Sequence, residues 1–206
     1  MSRQYLNNYT MKANIYKLAV LLFAISVIAG CKKDSKDETS ANSIQIDGNQ
    51  YDMSHGIVIN YGSDNSVYNM EFALLSSGLT IHDIDGYPDS ISGTGHIILF
   101  SVMTSGSDKI TPGDYTYSNS YNAGTFDYGI YELNWNPVLN TDPDFLEITA
   151  GTIKIISSGA TYELSFTGTD SNNKAISGYY KGSLKYYTDF KKSAGLVKHR
   201  SKYFSE

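Results

Sequence analysis

Residues 151–184 read GTIKIISSGATYELSFTGTDSNNKAISGYYKGSL, and the alternation within them decides the fold class. Ile153 and Ile155 fall on one side of an extended segment, and SSGA, residues 157–160, turns the chain. Tyr162, Leu164 and Phe166 share a side on the way back, and TDSNNK, residues 169–174, is a second loop. Ile176, Gly178, Tyr180, Gly182, Leu184 and Tyr186 then keep one parity. A period of two is the signature of a strand with one covered face. Three antiparallel strands are predicted, and a one-residue slip would turn every apolar side chain outward, which fixes the register.

The same pattern extends toward the N-terminus. SIQID, HGIVINYG, VYNMEFALLS and GLTIHDID are strand-like, with GSDNS and Gly86 as turn signals. GHIILFSVM is apolar almost throughout, as a strand covered on both faces would be. GDYTYS follows, then TFDYGIYELNW, which alternates Phe126, Tyr128 and Ile130 against Tyr131, Leu133 and Trp135. No segment carries a 3.6-residue period. About nine or ten short strands at regular spacing predict an all-β domain: a two-sheet antiparallel β-sandwich, with a calycin-like β-barrel as the alternative.

Residues 43–190 make one domain of about 150 residues, a usual size for a single core. The whole chain carries −5, the first thirty residues hold three cations and no acid, and the tail 191–206 carries +4. Residues 31–42 are neutral, so the predicted domain bears −12, with five lysines and no arginine. Phosphate backbones are bound by clustered Lys and Arg, so this balance argues against a nucleic-acid partner. The tail, KKSAGLVKHRSKYFSE, is expected to be disordered.

Residues 1–30 have the layout of a signal peptide. Basic residues precede LAVLLFAISVI, residues 18–28, which is short of the roughly 20 residues a membrane span needs. MKANIYK makes a complete basic region by itself, so Met11 is the expected true start. Ile28-Ala29-Gly30-Cys31 follows and holds the only cysteine. That quartet resembles the lipobox of bacterial lipoproteins. The resemblance implies cleavage before Cys31, a diacylglycerol on its thiol, and further acylation (palmitate and similar chains) of the new N-terminus. Two or more chains hold a protein stably at a membrane where one does not. A single cysteine also excludes an intrachain disulfide and any cysteine-based metal cluster. KKDSKDETSAN, residues 32–42, is polar and aperiodic, a flexible tether. Lysines and acids directly after the lipidated cysteine resemble the surface-export signal of Bacteroidetes lipoproteins.

PGDYTYS, residues 112–118, and the closing meander quoted above are similar to small surface lipoproteins of the Bacteroidetes that have no assigned activity. This resemblance implies location and β architecture and supplies no catalytic residue.

Chemical motifs are sparse. HExxH, GxSxG and metal-type histidine pairs are missing, and nothing in the sequence points to a cofactor. HDIDGYPD gathers Asp83, Asp85 and Asp89, weak candidates for a metal. Position twelve counted from Asp83 is Thr94 instead of the Glu an EF-hand requires, so no metal is predicted. A glycosidase needs two carboxylates roughly 5–9 Å apart, and no pair among Glu71, Glu132, Glu147 and Glu163 is set together by the sequence. Aromatic residues are the better lead, since Tyr and Trp mark contact surfaces. Tyr131 and Trp135 are candidate ligand contacts if their face is exposed. Tyr179 and Lys181, with Lys185 and Tyr187 of the same parity, are candidates for an anionic glycan. Asp89-Ser90-Ile91 resembles the Bacteroidetes O-glycosylation sequon, with Ser90 as acceptor.

The expected protein is a non-catalytic, outer-membrane, surface-exposed lipoprotein binding a carbohydrate or a partner protein. A secreted-side hydrolase with paired carboxylates and a structural subunit of an envelope assembly are the alternatives.

Overall fold

The computed structural model describes residues 42–139 and 144–188. The expected signal peptide, Cys31, most of the expected tether and the basic tail lie outside the described residues.

Thirteen strands and no helix make up the described chain. They are β1 Ser43–Ile46, β2 Asn49–Asp52, β3 His55–Asp64, β4 Val67–Leu75, β5 Leu79–Ile84, β6 Tyr87–Gly93 and β7 Gly95–Thr104. After these come β8 Gly113–Tyr117, β9 Thr125–Trp135, β10 Leu146–Ser157, β11 Tyr162–Asp170, β12 Ala175–Gly182 and β13 Leu184–Thr188. Eleven strands form one curled mixed sheet in the order β13-β3-β4-β7-β9-β8-β10-β11-β12-β1-β2. The hairpin β5–β6 is a second, small sheet.

Three tight hairpins are dictated locally. Asp47-Gly48, Asn65-Ser66 and Asp85-Gly86 all have positive φ. Two central residues in that region define the type I′ turn, whose twist matches the strands it joins.

The large sheet is mixed, a departure from the antiparallel expectation. β2 and β12 both pair antiparallel with β1, so they run in the same direction. Each then continues past a short break, Met53-Ser54 or Ser183, into β3 and β13. These continuations pair directly, Leu184 opposite Gly56 through Thr188 opposite Asn60, and must be parallel. Asn42 pins the bend: its side-chain amide donates to the Lys181 carbonyl (3.1 Å) and accepts from Lys181 N–H (2.7 Å). Its own carbonyl accepts from Met53 N–H (2.9 Å).

The concave side of the curled sheet holds the main core, with Ile44, Phe72, Phe100, Phe126, Ile153, Leu164, Phe166 and Tyr180. Phe100 is its hub, 5.1 Å from Phe166 and 5.3 Å from Phe72 between ring centroids. Ile176, Tyr180 and Leu184 point into it and Tyr186 packs against it, as their shared parity requires. Gly178 lies directly opposite Phe166 on the neighbouring strand. A Cβ there would sit 2.3 Å from the ring, so the glycine makes room for the phenyl group.

A second apolar cluster lies on the other face of β3, β4 and β7. Ile57, Ile59, Ala73, Leu75, Ile97 and Trp135 are there covered by Leu79 and Ile91 of the hairpin. Burial on both faces explains why β3, β4 and β7 read as nearly continuous apolar runs.

Candidate functional site

The predicted aromatic face of β9 does not form. Tyr131 is 2 % exposed and Trp135 5 %, and they belong to different clusters. Two β-bulges reset the alternation. One lies where Ser101 and Val102 face Tyr128 and Phe126, the other where Gly95 and Ile97 face Trp135 and Glu132. Asn134, at φ 55°, makes the second kink and swings Trp135 under the hairpin. A bulge adds one residue to one strand and thereby flips everything beyond it. Tyr131 points inward, where its hydroxyl donates to Asp170 (2.7 Å).

Asp170 is a structural anchor. Its other oxygen accepts from the N–H groups of Asn172 (2.9 Å) and Lys174 (2.8 Å), closing the β11–β12 loop. Burial by itself would raise its pKa, but the bonds from Tyr131 and from those two N–H groups hold it below the ordinary carboxylate range. Burial and the bond to Asp170 push the Tyr131 hydroxyl well up.

The other candidates divide at Ser183. Tyr179 and Lys181 lie on β12, where both contact Glu163 of β11: the phenol donates to Oε1 (2.9 Å) and the ammonium sits 3.0 Å from Oε2. Lys181 and Tyr179 hold the Glu163 carboxyl below its usual range. Lys185 and Tyr187, of the same parity, belong instead to β13 and meet the hairpin. Lys185 forms an ion pair with Asp83, and the Tyr187 hydroxyl donates to the other Asp83 oxygen (2.6 Å). The Lys185 ammonium also lies 5.1 Å from the Tyr187 ring centroid.

This triad forms one wall of an open groove of about 550 Å³ between the hairpin and the edge of the large sheet. Ser54, His55, Ser77, Thr80 and Ser183 supply its other polar groups. Ser54 Oγ lies 2.7 Å from His55 Nδ1 and 3.3 Å from the Leu75 carbonyl. Burial lowers the His55 pKa, which favours the neutral ring. The groove therefore pairs its one cation with its one carboxylate and offers neutral donors and acceptors besides.

Sequence reasoning reached Lys185 and Tyr187 by parity and Asp83 through its acidic run, without joining them. His55, Ser54 and Thr80 carried no signal, because the groove depends on β13 pairing with a strand more than a hundred residues earlier.

Asp83, Asp85 and Asp89 do not converge: Asp83 is held by Lys185 and Tyr187, while Asp85 occupies the hairpin turn. Among the described residues no group of three His, Cys, Asp or Glu side chains is placed to hold a metal ion. Glu71 and Glu132 are buried on strands flanking β7, opposite Ser101 and Ile97, about 13 Å apart along that strand. Ser90 is exposed on β6, opposite His82. Comparison with protein-family models, with curated proteins and with solved structures finds no match to this chain.

Proposed function

We propose that the protein is a bacterial lipoprotein anchored through Cys31 in the outer membrane and exposed at the cell surface, whose β domain binds a carbohydrate without transforming it. The lipobox-like quartet at residues 28–31 and the polar tether after it support the anchor and the location. We read the curled sheet as a sandwich folded on itself, a view supported by the short breaks that carry β2 into β3 and β12 into β13.

The groove beside Asp83, Lys185 and Tyr187 carries the binding reading. Sugars are recognised by fixed donors and acceptors that reproduce hydration, and here one carboxylate is oriented by two donors while hydroxyls and an imidazole surround it. Tyr187 is itself buried, so recognition rests on polar groups and not on ring stacking.

A glycan array probed with the mature full-length chain carrying Cys31→Ser tests this. Binding to a set of related glycans, lost in Asp83→Ala, is expected. An array without binding, together with a protein partner captured by crosslinking on cells, would overturn the carbohydrate reading.

A further inference from the structure

The groove opens beside the point where the tether enters the domain. Asn42 is the last tether residue, and its three hydrogen bonds go to Met53 and Lys181. Ser54 follows Met53 directly and Ser183 is two residues past Lys181, and both line the groove. Groove and tether are thus fixed to the same bend of the sheet. From there β3 runs the ten residues His55–Asp64 to the Asn65-Ser66 turn, about 30 Å away at strand rise.

We infer that the groove takes its ligand from the membrane that carries the anchor: an uncharged sugar headgroup of a lipid in the same leaflet. The inference rests on the proposed anchor and on the proposed binding groove. The eleven residues 31–41 can reach at most roughly 38 Å from Cys31 to Asn42. The groove is therefore held within reach of headgroups, while the Asn65-Ser66 turn marks the distal end. Charge points to an uncharged sugar, because Asp83 already neutralises Lys185 and a ligand carboxylate would have to displace it. Confinement favours the same membrane as well. An open groove binds weakly, yet a ligand confined within such a tether length meets it at an effective concentration in the millimolar range.

The test uses the mature lipidated chain in vesicles, with Ser183→Cys as the only free thiol because Cys31 is consumed by its thioether. One set of vesicles is made from lipid extracted from the cells that produce the protein. The other is made from the same extract after periodate cleavage of sugar diols. Alkylation of the new thiol by a charged maleimide is expected to be at least tenfold slower on the untreated extract. Equal rates on both would overturn the membrane source. The groove reading would survive that result if a soluble glycan from the array slows the alkylation, and would fall with it if none does. A fluorophore at Ser183→Cys is also expected to transfer energy to acceptor lipids more strongly than one at Asn65→Cys. Equal or reversed transfer would overturn the placement of the groove at the membrane end.

Discussion

Replacing Asp170 with alanine should be among the most damaging single changes in the domain, and the structure sets the size of the effect. Asp170 is 1 % exposed and accepts three hydrogen bonds, from the Tyr131 hydroxyl and from the N–H groups of Asn172 and Lys174. Truncation leaves a buried phenol and two backbone donors without their acceptor. Each orphaned donor costs about 1–3 kcal/mol, with the backbone pair toward the lower end because water reaches that loop. The sum is about 3–5 kcal/mol, the range for breaking a buried charged cluster from one side. At about 2–4 °C per kcal/mol for a domain of this size, the unfolding midpoint should fall by about 6–20 °C. Asp170→Asn should cost only about 1–2 kcal/mol, since one oxygen takes both N–H bonds and an amide carbonyl can replace it. The pH dependence carries the same signature. The folded carboxyl is held below its ordinary value, so its contribution is present above about pH 4 and is lost as pH falls through the folded-state value. Urea unfolding of wild type, Asp170→Ala and Asp170→Asn from pH 7 to 3 measures all of this. An alanine variant within 1 kcal/mol of wild type, or an acid slope unchanged in Asp170→Asn, would refute the reasoning.

Gly178→Ala should cost about 1–3 kcal/mol by overpacking, because its Cβ meets the Phe166 ring; adding Phe166→Leu should return part of that loss in thermal melts, and a neutral Gly178→Ala would count against the pairing. His55 and His96 are both lowered by burial, so their imidazole protons should titrate below pH 6.5 by NMR. Folding favours the neutral rings, so stability should fall as pH drops through 6.5 and level off below the folded-state values. Cys31→Ser should move the protein from the membrane fraction to the soluble fraction, and an unchanged distribution would argue against the anchor.

The closing meander was legible because each strand keeps one parity over a single covered face, so Ile176, Tyr180 and Leu184 point inward as read. The tight turns were legible in part, since Asp-Gly signals positive φ, whereas Asn65-Ser66 lay within a run read only as turn-rich. Residues Phe126 to Trp135 misled because parity carries no mark of a bulge. Asp127, Gly129 and Asn134 all tolerate the left-handed conformation, and only the structure shows that Asn134 adopts it, so the sequence did not mark where Trp135 would change faces. The parallel pairing of β3 with β13 was not legible, since a short apolar run does not announce its partner. The groove formed by that pairing was invisible for the same reason.

Titration calorimetry with the glycan bound best on the array tests the central claim most directly, using the mature full-length Cys31→Ser chain with and without Asp83→Ala or Lys185→Ala. Both further variants are expected to bind at least tenfold more weakly while each unfolds within a few degrees of the parent. Affinity unchanged in both would contradict the assignment of the groove as the binding site.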